Sequence, residues 1–339
     1  MHLPLAGTAV LVIAILVVLQ HVQSWFRKHD DDASTFSERV FERPRQLEKV
    51  PIPSIFSEAT KSLTIVIPAY NEERRLPSTL EETFRYLQRR RDAEGGAFSY
   101  EVIVVDDGST DSTVHQAFEH VQRHGFDALR VLQLARNHGK GYAVKAGMLV
   151  GRGDLLLFMD ADGATRVSDL EKLEAALAAI SSGNTAGQGS VGQKKNSTRI
   201  GLGIAAGSRA HLEGRALSQR SWSRNLLMHG FHLLVLLVAG GAIKDTQCGF
   251  KLFTRQAAQL LYSNQRLQRW CFDVELLFLA QHLEVPVVEE CVNWTEIPGS
   301  KVSLVSILHM TWEMVAILIA YRWLKIWHIR SLAEIYKSQ

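Results

Sequence analysis

From residue 63 onward, short apolar runs alternate with segments of helical periodicity. Leu63 to Ile67, Val102 to Val105, Leu129 to Leu134 and Leu155 to Met159 are apolar-rich, while Pro77 to Arg91, Asp111 to His124, Lys140 to Val150 and Ser168 to Ile180 space their apolar residues as helices do. Runs that are apolar on both faces and bounded by turn residues are the mark of buried strands. Four strand and helix alternations predict the α/β class, a mostly parallel sheet with helices on both faces. The stretch Ser181 to Arg199, rich in Gly, Ser, Asn and Gln, reads as a surface excursion before a fifth strand at Leu202 to Ala206.

The ends of the chain follow other patterns. No charged residue occurs from Leu3 to Leu19, and Trp25, Phe26, Arg27 and Lys28 follow as an interfacial belt with positive charge behind it. Residues 1–26 are expected to be a single membrane anchor. A cleaved signal peptide is the alternative, but the basic n-region and a closely following small-x-small site are missing. The positive-inside rule places the rest of the chain in the cytosol, against the weak counterweight of Asp30 to Asp32, and leaves the sequons at Asn196 and Asn293 unused. Residues 27–60, with Pro44, Pro51 and Pro53, read as a linker, 61–300 as the main domain and 301–339 as an amphipathic, membrane-associated segment.

Two other apolar stretches bear on this. Ser221 to Ile243 is interrupted by His229 and His232, and Val302 to Ala320 by His309 and Glu313. A charge in the middle of a spanning helix costs roughly 2 to 3 kcal/mol. Helices lying on the membrane surface are therefore expected, with Trp312, Trp323 and Trp327 at headgroup level and Arg322 and Lys325 toward water. Core helices, or a second span at Val302 to Ala320, are the alternatives.

Composition narrows the partners. With 339 residues, 46% hydrophobic, and a net charge of +3, the chain has ample core and no basic stripe for nucleic acid. Cys248, Cys271 and Cys291 are far apart and suggest free thiols rather than a zinc site or disulfide framework.

The chemistry lies behind the predicted strands. Asp106-Asp107-Gly108-Ser109-Thr110-Asp111 and Asp160-Ala161-Asp162-Gly163 each follow an apolar run directly, at the strand ends where open α/β sheets bind ligands. Asp160 and Asp162 on one turn can give oxygen ligands to a hard divalent cation, Mg2+ or Mn2+, that takes the rest of its shell from water and a diphosphate. Capping of the next helix or an Asx turn is the plainer alternative. In the first cluster Ser109 or Asp111 suits an N-cap, which leaves Asp106 or Asp107 to accept from a nucleobase N–H. Pro68-Ala69-Tyr70-Asn71-Glu72-Glu73 and Asn137-His138-Gly139-Lys140-Gly141 end two more strands, the latter a glycine turn presenting one cation. A nucleoside diphosphate with its metal would fill that edge. Neither GxGxxG behind a strand nor GxxxxGK[ST] occurs, which argues against dinucleotide cofactors and P-loop phosphoryl transfer.

These four segments resemble the motifs of the inverting nucleotide-sugar transferases of the GT-A fold, family 2. More narrowly, Gly207 to Leu212, Asp245 to Phe253, Phe272 to Glu275, Asn293 to Ile297 and Gly299 to Lys301 are similar to the dolichyl-phosphate β-glucosyltransferases. The similarity runs from about residue 63 to 301. It implies a Rossmann-like GT-A domain, UDP-glucose as donor and dolichyl phosphate as acceptor, at the endoplasmic reticulum membrane with the catalytic domain toward the cytosol. Pro68, Tyr70, Glu72, Asp107, Lys140, Asp160, Ala161 and Asp162 would then hold the donor, and Asp160 and Asp162 the cation. Arg209, Lys251 and Arg224 would serve the acceptor phosphate, with Asp162, Arg209 and Lys251 closest to the reaction. Related mannose synthases carry Gln where this chain has Ala164, so a third protein ligand to the metal is not expected. No QxxRW pattern occurs around Arg269-Trp270, which weighs against a polymerase.

A lipid phosphate is already anionic near neutral pH and attacks an anomeric carbon with little help from a base. What remains is positioning and electrostatic stabilisation of the departing diphosphate. Single displacement with inversion is expected, giving a β-linked glucosyl phosphate for protein N-glycosylation. Transfer from another nucleotide sugar such as GDP-mannose, and non-catalytic nucleotide-sugar binding, are the rival readings. Asp245 is left between orienting a sugar hydroxyl and capping a turn, and the carboxylates of Phe272 to Glu275 between function and favouring a helix start.

Overall fold

The computed structural model describes residues 51–181, 201–211, 243–297 and 304–338, together with residues 24, 40–42, 49–50, 235–236, 238 and 240. The expected N-terminal anchor apart from Ser24, Arg224 with most of 221–243, and nearly all of the 181–199 excursion lie outside them.

A short antiparallel hairpin of β1 (Val40–Glu42) and β2 (Lys49–Pro51) occupies part of the expected linker. Beyond it Ile55 is fully buried and its N–H donates to the Leu149 carbonyl at 2.9 Å. The linker reading is therefore corrected there: residues 51–60 are packed, because Ile52, Ile55 and Phe56 have apolar surface to bury.

Among the described residues the main sheet has seven strands. In chain order the elements are β3 (Lys61–Ala69), α1 (Leu76–Ala93), β4 (Tyr100–Asp106), α2 (Thr113–His124), β5 (Leu129–Gln133), α3 (Lys140–Met148), β6 (Gly153–Met159) and α4 (Leu170–Ser181). They continue with β7 (Ile204–Ser208), β8 (Phe250–Thr254), α5 (Arg255–Asn264), α6 (Phe272–His282), β9 (Val287–Cys291), α7 (Leu304–Ile317) and α8 (Leu332–Lys337). The spatial order is β5-β4-β3-β6-β8-β7-β9. Among these described strands only β8 runs against its neighbours, antiparallel to both β6 and β7.

Alternation along each strand builds two cores. Ile65, Ile67, Val102 and Val104 face α1, α2 and α4, while Val66, Ile103, Val105 and Phe158 face the layer of α3, α5 and α6. Because the chain moves from β3 to β4 on one side and returns to β6 on the other, a crevice opens at the carboxyl ends of β3, β4 and β6.

Residues 304–338 belong to the same core rather than standing apart. Met314, Ile317, Ala320, Trp327 and Ile335 are buried in it, and the Tyr321 hydroxyl donates to Glu275 at 2.7 Å. Among the described residues no helix is long and apolar enough to cross a membrane. The headgroup position expected for Trp327 is corrected, since it is 2% exposed and packs edge-on against Tyr321. Glu313 is likewise buried, accepting from the Cys271 N–H at 3.0 Å. Trp323, in contrast, is 76% exposed beside Leu324 and Ile326.

Candidate active site

The carboxyl ends of β3, β4 and β6 surround an open cleft of about 660 Å3. Pro68, Tyr70, Glu72, Asp107, Lys140, Asp160, Ala161, Asp162 and Arg209 all line it. Arg75, Arg269, Trp270, Asp273 and Trp294 line it too. Of the residues expected at the site, Lys251 lies behind the wall and Arg224 is outside the described residues.

The turn after β6 carries the two carboxylates. The backbone N–H of Asp160 donates to the Gly249 carbonyl, tying that turn to the start of β8. A Cβ on Gly249 would stand 2.0 Å from Oδ2 of Asp160, so only glycine leaves room for that carboxylate. Lys140 Nζ sits 2.7 Å from Asp160 Oδ1. Burial first and the charge of Asp160 second raise the Asp162 carboxyl above its ordinary range, against a bond from the Ala164 N–H at 3.0 Å. Two crowded carboxylates held partly out of water gain from a shared cation. Among the described residues no cluster of three or more His, Cys, Asp or Glu is placed to cage a metal. That donor set fits a hard ion that keeps water and substrate oxygens in its shell.

Asp107 does architectural work as well as lining the cleft. Its carboxylate accepts from the N–H groups of His138 and Gly139, both at 2.8 Å, pinning the loop that leads into α3. Burial nevertheless raises its carboxyl. Gly108 needs its φ of +71°, and a Cβ there would strike the backbone of Arg136 and Asn137. Asp106 accepts from the Ser109 N–H, and Asp111 from Thr113. Glu72 forms a fork with Arg75, Oε2 to Nε at 2.6 Å, so the donor-side carboxylate comes with its own guanidinium.

Gly139 and Gly141 have a cause that lies 130 residues downstream. A Cβ on Gly139 would meet the Gln268 carbonyl at 2.7 Å, and one on Gly141 the Phe272 Cβ at 2.7 Å. The 267–272 loop thus closes onto the start of α3, fixed by bonds from Gly141 N to the Arg269 carbonyl and Tyr142 N to the Gln268 carbonyl.

Two of the three cations expected at the acceptor phosphate, Arg209 and Lys251, are paired. Arg209 grips Asp245 through Nε at 2.7 Å and Nη2 at 2.9 Å, and its own N–H bonds the same carboxylate. Burial alone would raise Asp245, but these bonds outweigh it and hold the carboxyl below its usual range. Asp245 therefore neither caps a turn nor stands free: it positions Arg209. Three of the five guanidinium donors remain.

Lys251 is 1% exposed, with Nζ 2.8 Å from Asp273 Oδ1 and 2.6 Å from the Cys248 carbonyl. Asp273 and Glu275 are more than helix-start charges. Asp273 reaches the cleft wall, and Glu275 accepts from the N–H groups of Arg266 and Leu267 and from Tyr321.

Sequence reasoning passed over Arg75, Arg269 and Trp270 as cleft residues. Arg75 stands two residues past a segment already singled out, which was a usable signal. Arg269 and Trp270 were weighed only as a departure from the QxxRW pattern, and that comparison did not place them at the cleft.

Comparison with known proteins agrees with this geometry. Residues 64–259 match the model of glycosyl transferase family 2. A human dolichyl-phosphate beta-glucosyltransferase is 47% identical over 254 residues, covering 75% of this chain and 74% of that protein. One from Drosophila melanogaster is 44% identical over 299 residues, covering 88% and 85%. The crystal structure of a glucosyl-3-phosphoglycerate synthase from Mycobacterium tuberculosis, in complex with Mg2+ and uridine diphosphate, aligns with a TM-score of 0.51 at 17% identity over 77% of this chain and 79% of that one. That likeness is one of fold, a GT-A-like α/β sheet, whereas identities of this size over most of both chains reach further: the chain belongs to glycosyl transferase family 2, among the dolichyl-phosphate beta-glucosyltransferases.

Proposed function

We propose that this chain transfers glucose from UDP-glucose to dolichyl phosphate with inversion, forming dolichyl β-D-glucosyl phosphate for protein N-glycosylation. The observation that carries the reading is the cleft itself. It gathers Tyr70, Asp107, Lys140, Asp160 and Asp162 from four strand ends at the switch point of the sheet, in a chain whose relatives bear that activity in their names.

Pro68, Tyr70 and Asp107 line the side that suits the nucleoside, with Glu72 braced by Arg75 next to them. Asp160 and Asp162 would hold a divalent cation, Mg2+ or Mn2+, which when bound supplies positive charge to the donor diphosphate. Lys140 stands beside them and adds its own charge to the departing group. Arg209, rigid on Asp245 and 5.4 Å from the Trp294 ring, keeps donors for a phosphate oxygen. No general base is needed, because the attacking phosphate is already an anion. The work is orientation and charge stabilisation in a preformed site. Lys251 acts through Asp273 as a positioning residue in this reading, and Arg224 remains a candidate on the acceptor side.

On this reading the chain works at the endoplasmic reticulum membrane, anchored through residues 1–26 with its catalytic domain toward the cytosol. The exposed Trp323, Leu324 and Ile326, flanked by Arg322 and Lys325, suit a headgroup layer. α7 supports this, since Ser306 and Met310 near its start line the cleft and its far end leads to that tip.

The test is transfer of label from UDP-glucose into the organic phase, using detergent-solubilised protein, dolichyl phosphate and magnesium, with GDP-mannose and a chelator in parallel. Label from UDP-glucose alone, lost with chelator and in Asp162→Ala, is the expected result. Label from GDP-mannose would replace the sugar, and no label with intact UDP binding would leave a non-catalytic binding protein.

A further inference from the structure

Two buried carboxylates stand outside the transfer chemistry. Glu275 in α6 and Glu313 in α7 are 0% and 2% exposed, and burial raises both carboxyls. The groups bonded to them are N–H and O–H donors. Glu275 accepts from the Arg266 N–H at 3.0 Å, the Leu267 N–H at 2.7 Å and the Tyr321 hydroxyl at 2.7 Å. Glu313 accepts from the Cys271 N–H at 3.0 Å, and the Trp270 N–H adds to its stabilisation. A carboxylate is all acceptor, with roughly four lone-pair sites, so it can gather several donors where an amide or a hydroxyl could not.

These donors belong to one loop and to the segment packed behind it. Residues 265–271 join α5 to α6, and Arg269 and Trp270 on that loop line the cleft. A loop packed on both sides must find partners for its backbone donors and acceptors. Toward α3 its carbonyls are taken: Gln265 by the Lys145 ammonium at 2.7 Å, Gln268 by the Tyr142 N–H at 2.9 Å and Arg269 by the Gly141 N–H at 3.1 Å. Its N–H groups are taken by Glu275 and Glu313. The Cys271 thiol donates to the Met310 carbonyl at 3.2 Å, so the start of α6 is held from α7 and not by its own N-cap side chain. Met310, one helical turn before Glu313, itself lines the cleft. Both Glu313 and Tyr321 lie beyond residue 259, where the family match ends.

We infer that Glu313 and Tyr321 are positioning residues for the transfer reaction: Glu313 directly, and Tyr321 through Glu275, fix the loop that presents Arg269 and Trp270 to the cleft. The C-terminal segment thereby completes the site as well as covering the core. In a preorganised site a displacement of about 1 Å can cost roughly a hundredfold in rate, so a hold on backbone atoms reaches the chemistry without touching substrate. The inference rests on the transfer reading for the reaction concerned, but the hold on the loop can be measured without turnover.

The experiment compares full-length wild type with Glu313→Leu, Glu313→Gln and Tyr321→Phe in detergent with magnesium, each first checked for a cooperative melt above the assay temperature. Initial rates are taken against UDP-glucose and, separately, against citronellyl phosphate, and hydrogen exchange of the 266–271 amides is followed by mass spectrometry. Glu313→Leu strands the Cys271 N–H, so kcat/KM should fall roughly ten- to a hundredfold, with a changed KM for at least one substrate. Glu313→Gln keeps an acceptor there and should restore most of the rate, whereas Tyr321→Phe should cost about three- to tenfold. Exchange should quicken in 266–271 of Glu313→Leu and Tyr321→Phe and stay unchanged in β3 and β4. Should Glu313→Leu fail to fold, Tyr321→Phe carries the test. A merely structural role would lower kcat in proportion to the folded fraction and leave both KM values alone. That result, or Glu313→Gln losing as much as Glu313→Leu, would overturn the inference. Absence of lipid-soluble label from wild type would overturn the transfer reading instead; UDP affinity by calorimetry and loop exchange, unchanged in every variant, would then overturn the positioning role as well.

Discussion

Replacing Lys251 by Met separates two roles that the sequence could not. A phosphate ligand on the cleft wall would be lost with little effect on folding, whereas the structure puts this residue within β8, opposite Phe158 on one side and Ala206 on the other. Its side chain is 1% exposed and that of Asp273 4%, with 2.8 Å between the charged atoms. Methionine fills similar volume, so the main loss is the charge. Removing one partner of a buried pair costs about 3 to 5 kcal/mol, because the other is left uncompensated. For a domain of this size that corresponds to a fall in Tm of roughly 6 to 20 °C. Burial already pushes the Asp273 carboxyl up, held back by Lys251 first and Lys140 second, so in the variant Asp273 should take up a proton. A carboxyl whose folded pKa is raised is least costly at low pH and most costly as pH rises. The deficit should therefore shrink on acidification, within the range where the rest of the protein stays folded. The assay is thermal unfolding of Lys251→Met, Asp273→Leu and the double variant in detergent at two pH values. The double variant should recover most of the lost stability, since an apolar replacement of both partners is often nearly neutral. If Lys251→Met melted within about 2 °C of wild type while the KM for dolichyl phosphate rose tenfold or more, the structural role argued from burial would be wrong and direct phosphate binding would stand.

Gly249→Ala should abolish transfer, because the new methyl group would stand 2.0 Å from Asp160 Oδ2 and drive that carboxylate from its place; calorimetric titration of Mn2+ should show weakened binding in a protein that still gives a cooperative melt. Glu313→Gln should have little effect on stability near pH 5 and raise it near pH 8. Burial lifts the Glu313 carboxyl from 4.5 to about 7, so its favourable contribution is complete below pH 4.5 and lost as pH climbs through 7, worth about 3 kcal/mol at most; Tm measured across that range reads the difference. Trp323→Asp combined with Leu324→Asp should reduce co-sedimentation with vesicles containing anionic lipid, measured on protein lacking residues 1–26, without altering UDP affinity, since both side chains project from the fold at 76% and 61% exposure.

The strands behind the acidic clusters were legible because burial on both faces leaves an uninterrupted apolar run. β3, β4 and β6 begin and end within two residues of their expected limits. β8 was not legible. Phe250-Lys251-Leu252-Phe253-Thr254 carries a lysine at its second position, and the carboxylate of Asp273, 22 positions later, with the Cys248 carbonyl makes that tolerable in a sheet interior. The short β9, with Glu289 and Glu290 in a half-buried edge strand, has no run to detect. The C-terminal stretch shows the same limit in another form. Its hydrophobicity was plain, but Trp327 and Glu313 turn into the core while Trp323 turns out, and a one-dimensional pattern with a six-residue wide helical turn at Leu318–Trp323 does not say which.

The residues of the site were legible to the extent that their neighbours in sequence are their neighbours in space. Asp160 and Asp162 share a turn, and Asp107 bonds the Asn137 to Gly141 loop that a parallel sheet must place beside it. Pairing between charges obeys no such rule. Arg209 and Asp245 are 36 positions apart and Lys251 and Asp273 are 22, so each looked like a lone charge available to a ligand. Once the pairs are drawn, the cleft has a different electrostatic plan. Asp245 and Asp273 hold two cations in fixed positions, Lys140 leans on the carboxylates that would take a metal, and Arg269 is exposed on a loop bonded to the start of α3. The glycines at 139 and 141 belong to that plan, because they let the loop bearing Arg269 sit against the helix bearing Lys140. Two cations that line the cleft from segments about 130 residues apart are thereby held as one unit.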